Sequence, residues 1–289
     1  YHLYELKREI LDSKLHNKIL KIIDKLDCSE ENKTFGNFLL SKYELNKKNY
    51  KEKFNYLLKS HSNFLNLKKN SITKEIDYWL KQLPNAQGLI DSIKGNENSE
   101  KNSYKIKPIF IFGIPRSGST LLEKVIASGS QYISIGEETN IFRDSVIKII
   151  EKNSFSKLDF NNLQKEIIMK FKIKGLIVEK SNFIFTDKSL DNFFYTRLIK
   201  KIFPNAKFIN CKRNPLSSIM SIFKNIFKDV KWGHNLEHIL KYMDIYHGMI
   251  KNYKIKFPNL IYDLDYQDFV NNPEPESKKL LKFCNLPWD

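Results

Sequence analysis

Between Gly113 and Thr120 the chain reads GIPRSGST, directly after the apolar run PIFIF at Pro108–Phe112. A strand, a glycine-bounded turn and a helix start aim backbone N–H groups and the positive helix end at one point, where an anion settles. Gly113 and Gly118 have the GxxxxG spacing of a triphosphate-binding loop, but the position of its lysine is held by Ser119, with Thr120 after it. That lysine reaches the outer phosphates and the next hydroxyl holds magnesium, so a metal-bound triphosphate is poorly served here. What remains is a cradle for one phosphate. Ser117, Gly118, Ser119 and Thr120 supply amides and hydroxyls, and Arg116 can bind an oxyanion beyond that phosphate. The bland alternative is a strand-to-helix turn capped by Ser119.

A second constellation follows the run KFINC, in KRNPLSSIMSIF. Pro215 suits a first helical turn, which places Arg213 just before the helix and Ser217 and Ser221 one turn apart on one face. Arg213 with these hydroxyls makes a second anion site, and two such sites on adjacent elements suggest a nucleoside phosphorylated at both ends. Glu137 and Glu138 in GEETN read, by themselves, as the acidic first turn of a helix, and Lys188 in TDKS as a surface lysine. His234 and His238 share a helical face after Trp232, but no third ligand accompanies them, so packing or solvated histidines are expected and no metal site. YDLDYQDF reads as a strand followed by a helix start.

These residues need elements to hold them. PIFIF, QYISI, FIFTD, KFINC and NLIYDL alternate with helical stretches, which predicts an α/β domain of three layers with a mainly parallel sheet. Upstream, apolar residues at helical spacing predict amphipathic helices over about 3–26, 35–46, 49–66 and 72–83, the last ending at Pro84. The polar stretch 85–104 reads as a linker or surface loop. The boundaries expected are therefore a helical segment over 1–84, the linker, and the α/β domain over 105–289. FGNFLLSKYELNKKNYKEKFNYLLKS resembles one degenerate tetratricopeptide unit, with a plain helical hairpin as the alternative.

The bulk properties restrict the class further. Lys plus Arg number 49 against 33 Asp plus Glu, a formal +16 that favours anionic partners, although much of it is lysine scattered over a solvated surface. Three distant cysteines, Cys28, Cys211 and Cys284, argue against a disulfide framework and for a reducing compartment, so a cytoplasmic location is expected. The aromatic residues sit in apolar positions rather than interleaved on a basic face, and no nucleic-acid partner is expected. The chain opens at Tyr1 without a methionine and reads as a segment of something longer.

With both anion motifs in view, the sequence resembles the sulfotransferases that use 3′-phosphoadenosine 5′-phosphosulfate. PIFIFGIPRSGSTLLEKVIASGSQYISIGEE is similar to their 5′-phosphosulfate loop, and CKRNPLSSIMSIF, with Arg213 and Ser221 eight apart, to their 3′-phosphate motif. The group most resembled carries tetratricopeptide repeats before a P-loop-type domain and is related to protein-tyrosine sulfotransferases; TDKSLDNFFYTRLIKKIFPNAKFI is also similar to it. The resemblance covers about Lys105 to the end. It accounts for the missing lysine, because the donor has a single 5′ phosphate bearing a sulfuryl group and needs no metal.

The resemblance also assigns roles. It implies Glu138 as the base, Lys188 and Arg116 as the cations beside the transferring group, Arg116, Ser117, Gly118, Ser119 and Thr120 at the 5′ end of the donor, and Arg213 with Ser221 at the 3′ end. Asp187 is implied to orient Lys188. The tyrosine enzymes have an arginine two residues after the base, where this chain has Asn140. The acceptor is accordingly left as a hydroxyl of a protein, glycan or small molecule. The resemblance further implies a segment continuing past Asp289 that completes the nucleotide and acceptor sites, and a protein partner for the helical segment. Two other classes compete: a P-loop nucleotide kinase or NTPase, which Ser119 opposes, and a non-catalytic helical-repeat adaptor.

Overall fold

The computed structural model describes residues 11–94, 105–129, 131–152, 155, 158–178 and 183–288. The chain divides into two compact units, one of residues up to Leu80 with Ile219–Tyr242, the other of Lys81–Ser218 with Met243 onward. The first, helical unit thus combines the N-terminal helices with the later stretch Ile219–Tyr242.

In the helical unit, helices start where short polar side chains can accept orphan backbone N–H groups. Asp12 accepts the Leu15 N–H at 2.7 Å to open α1 (Ser13–Ile23). Ser29 accepts from Asn32 to open α2 (Glu30–Asn46), and Asn49 precedes α3 (Tyr50–Asn66). The expected first helix ends sooner than 26, leaving Leu26 fully exposed, and its part before Leu11 lies outside the described residues. The turn between α2 and α3 is three residues, with Lys48 at φ 60, so the two helices run antiparallel and side by side. Leu11, Ile19, Leu40 and Tyr43 form one core cluster, and α1 packs so closely on Gly36 that a Cβ there would lie 2.5 Å from Ile23.

The structure corrects two helical expectations. After α4 (Lys69–Asp77) a π turn, Tyr78–Gln82, leads into α5 (Leu83–Ser92), so 85–92 is helix rather than linker. Pro84 falls in the first turn of α5, where its missing N–H costs nothing and its fixed φ suits the helix. His234 and His238 do not share a helical face either: His234 closes a 3₁₀ turn, Lys231–His234, and Asn235 is extended before the next helix. The buried His234 instead stacks on Phe64, with ring centroids 3.6 Å apart, and its Nδ1 lies 2.9 Å from Nδ1 of His61.

In the second unit, β1 (Lys107–Gly113), β2 (Ile184–Asp187), β3 (Lys207–Lys212) and β4 (Ile261–Asp265) form a parallel sheet in the order β2-β1-β3-β4. Register pairs Phe110 with both Asp187 and Phe208, and Cys211 with Leu264. The strand period of two divides β1 between layers. Ile109 and Ile111 join the cluster containing Leu122, Ile126 and Leu280, while the Phe110 ring meets Phe142, Phe203 and Phe208. The α/β class with a parallel sheet holds.

The expected strand QYISI is not formed. It is reduced to one bridge between Ser134 and Phe185, because the chain at Gly136 passes so close to β2 that a Cβ would lie 2.2 Å from the Thr186 carbonyl oxygen, and it turns at Glu137 with φ 50. The helices following these strands are α6 (Ser119–Ile126), α7 (Ile141–Glu151), α8 (Phe160–Ile173), α9 (Thr196–Ile202), α10 (Pro215–Phe223), α11 (Leu236–Lys256), α12 (Tyr266–Asn271) and α13 (Pro273–Cys284). Among the described residues no helix is long and apolar enough to cross a membrane.

Candidate active site

Parallel strands release their chains at one edge, and side chains just beyond the carboxyl ends converge there. β1 delivers the loop 114–118, β2 delivers Lys188, β3 delivers Arg213 and β4 delivers Tyr266.

The loop after β1 is shaped by its glycines. Gly118 has φ 101, and a Cβ on it would lie 2.2 Å from the Tyr266 ring; one on Gly113 would lie 2.6 Å from Ser117 Oγ and 2.7 Å from the Cys211 carbonyl oxygen. Ser119 and Thr120 begin α6, where helix geometry supplies no intrahelical carbonyl for their amides. Ser117 is buried and its Oγ has no hydrogen-bond partner among the described residues. A tight turn with an orphaned hydroxyl and helix-opening amides fits a single phosphate group.

Arg116 is exposed and left-handed, with φ 73, a conformation that costs a non-glycine residue about 1–2 kcal/mol. Its carbonyl accepts a 2.8 Å hydrogen bond from Arg213 Nη1, and the Arg213 guanidinium lies 5.0 Å from the Tyr266 ring centroid. Arg213 thus braces the loop after β1 itself, which its motif did not foretell. Ser221 is buried on α10, and its carbonyl accepts from Asn225 Nδ2 at 2.7 Å. Cys211 Sγ donates to the Ser117 carbonyl at 3.1 Å, and burial pushes its thiol up to about 11, so it acts here as a neutral strut.

Lys188 and Glu138 are brought together. The Lys188 ammonium lies 3.2 Å from Glu138 Oε1, with the lysine buried and the glutamate side chain 57% exposed. The Lys188 amide donates to the Glu137 carbonyl at 2.6 Å, locking the two segments by backbone as well. Glu137 and Glu138 therefore sit in a turn before α7 and not in its first helical turn, and Asn140, at φ 56, makes the transition.

Asp187 is wholly buried and accepts from Thr139 Oγ1, from the Ser189 amide and hydroxyl, and from Asn192. Burial pushes its carboxyl up, against these bonds. Its bonds fix the turns on either side of Lys188, so any orienting effect on that lysine runs through the backbone. Asn140 is tied into the same arrangement, donating its amide to Ser189 Oγ at 2.9 Å.

One participant escaped the sequence reading. Glu123, one helical turn beyond Ser119, is 2% exposed and accepts from Thr186 Oγ1 at 2.7 Å and from the Glu137 amide at 3.1 Å. The available signal was an acid between Leu122 and Ile126 on the inward face of a short helix.

A parallel sheet with a glycine-bounded loop at the carboxyl end of β1 and a lysine–glutamate pair at the end of β2 defines an α/β fold of the P-loop type. The chain belongs to the sulfotransferase family, whose pattern it matches over residues 108–289. It is 27% identical to an uncharacterized protein of Aquifex aeolicus across 97% of this chain and 39% of that one. It is 24% identical to protein-tyrosine sulfotransferase A of Caenorhabditis elegans, across 63% of this chain and 50% of that one. The chain thus spans half or less of the length of these two relatives. Among solved structures, the sulfotransferase domain from the curacin biosynthetic pathway aligns over 64% of this chain and 75% of that one, at 18% identity and a TM-score of 0.42.

Proposed function

We propose that this chain transfers a sulfuryl group from 3′-phosphoadenosine 5′-phosphosulfate to a hydroxyl acceptor, with a protein tyrosine as the first acceptor to test. The observation that carries the reading is the buried Lys188 held 3.2 Å from Glu138 at the carboxyl end of β2, the strand paired with the loop-bearing β1. When bound, the donor supplies an activated sulfuryl group on a phosphate. The Glu138 carboxylate takes the acceptor's proton as the acceptor oxygen bonds to sulfur and the bond from sulfur to the bridging oxygen breaks. Negative charge then grows on the departing phosphate, where the ammonium of Lys188 and the guanidinium of Arg116 oppose it. The amides of Gly118, Ser119 and Thr120 and the hydroxyl of Ser117 hold the 5′ phosphate. Arg213, and Ser221 with it, serve the 3′ phosphate.

Support comes from the family, from the tight loop and from the cation–carboxylate pair. We also read α2 and α3 as one degenerate tetratricopeptide unit offering a surface to a protein partner, supported by their three-residue connection and by the Ser60 hydroxyl of α3 donating to the Thr34 carbonyl of α2 at 2.7 Å. The test is transfer of radiolabelled sulfate from the donor to acceptors that include a tyrosine peptide. Lys188→Met is expected to lower turnover by about 10²–10³-fold, the cost of removing one donor aimed at developing charge. Full turnover in this variant overturns the assignment.

A further inference from the structure

Glu123 is well buried in the second unit and stands apart from the residues given roles in transfer. Its Oε1 receives the Thr186 hydroxyl at 2.7 Å and the Glu137 amide at 3.1 Å. Thr186 Oγ1 in turn accepts the Gly136 amide at 3.3 Å, and the Glu137 carbonyl accepts the Lys188 amide at 2.6 Å. One carboxylate oxygen therefore ties the phosphate-loop helix α6 to β2 and to the 136–138 turn. The turn has little freedom to find this position otherwise: Gly136 has no room for a Cβ and Glu137 is left-handed at φ 50.

We propose that Glu123 is a positioning residue that sets the Glu138–Lys188 pair in register with the phosphate loop. The consequence for transfer rests on the proposed roles of Glu138 and Lys188, whereas the structural linkage does not. Burial pushes the Glu123 carboxyl up, while the Thr186 bond and the nearby Lys188 oppose that, so the side chain's reach and its charge are separable properties. Gln keeps the reach and an acceptor oxygen but removes the charge. Asp keeps the charge but withdraws the carboxylate by one methylene.

The experiment compares Glu123→Gln and Glu123→Asp by steady-state transfer, by titration with adenosine 3′,5′-bisphosphate, and by amide exchange over 136–138. Positioning predicts that Asp loses about 10²-fold in kcat, the effect of a misplacement near 1 Å, while Gln loses far less. Nucleotide affinity should change less than about threefold in both, since the phosphate loop is intact. Exchange at the Glu137 amide should accelerate in the Asp variant and remain slow in the Gln variant, a readout that needs no transfer activity. Equal kcat values, or a greater loss in Gln than in Asp, overturn the proposal, as does unchanged exchange in the Asp variant. A wild-type chain inactive with the sulfate donor overturns the proposed function instead, and the exchange result still decides the role of Glu123.

Discussion

Replacing Gly118 by alanine tests the shape of the loop after β1. The new methyl meets two separate penalties. At φ 101 a side chain is in a backbone region that costs about 1–2 kcal/mol. The Cβ would also lie 2.2 Å and 2.5 Å from two carbons of the Tyr266 ring, overpacking that typically costs about 1–3 kcal/mol. Together they predict that Gly118→Ala lowers stability by about 2–5 kcal/mol. A double-mutant cycle with Tyr266→Ala separates the two, since removing the ring relieves the crowding and leaves the backbone strain. In that background Gly118→Ala should cost only about 1–2 kcal/mol. Loss of the contact between Arg213 and Tyr266 cancels, because it is present in both Tyr266→Ala arms. Urea denaturation followed by circular dichroism measures all four proteins. Equal costs in the two backgrounds would show that Tyr266 does not close the loop, and a cost below about 0.5 kcal/mol in the wild type would refute the left-handed glycine itself.

Two further perturbations test the interior. His61 and His234 each place Nε2 on a backbone carbonyl, that of Phe223 at 2.6 Å and that of Phe227 at 2.9 Å, so both Nε2 atoms carry protons. The 2.9 Å gap between their Nδ1 atoms has room for one more proton, so the folded pair takes at most one charge where the unfolded chain takes two. Burial holds both imidazoles below their ordinary value, His234 to about 3. From about pH 6.5 downward the unfolded state binds more protons, so this stability is present above that pH and falls on acidification by about 1.4 kcal/mol per unit for each imidazole that stays neutral in the folded chain. Urea midpoints against pH should show that slope, reduced in His234→Gln, and identical slopes would contradict the pairing. Tyr246, buried, donates its hydroxyl to Asn210 Oδ1, while Asn210 Nδ2 donates to Asp263 at 2.8 Å. Tyr246→Phe leaves that oxygen unpaired and should cost about 1–3 kcal/mol in denaturant unfolding; a change under about 0.5 kcal/mol would contradict it.

The legible parts of the fold were those that local chemistry decides. Apolar runs such as PIFIF and KFINC had to be buried strands, and the GxxxxG spacing after one of them could hardly be anything but a tight turn before a helix. QYISI has the same alternation, yet a close approach at Gly136 reduces it to a bridge, and such crowding depends on a segment some fifty residues away. Pro84 was read as a stop when it occupies a start, because only the preceding π turn reveals the boundary. His234 and His238 matched a helical spacing that Asn235 interrupts, and the real partner, His61, lies far off in sequence. Within the site, Arg213 was legible as a cation before a helix, but its hold on the Arg116 carbonyl was not. Glu123 was hidden for a related reason: an acid inside an apolar helix face acquires meaning only from the Glu137 amide and the Thr186 hydroxyl that reach it.

The loop Gly113–Thr120 is proposed to serve a nucleotide with one phosphate at its 5′ end. Calorimetric titration with adenosine 3′,5′-bisphosphate, in parallel with ATP and magnesium, tests it directly. Saturable binding of the bisphosphate without magnesium is expected, weakened in Arg213→Ala, with little heat from ATP. Tight magnesium-dependent binding of ATP, with none of the bisphosphate, would contradict it.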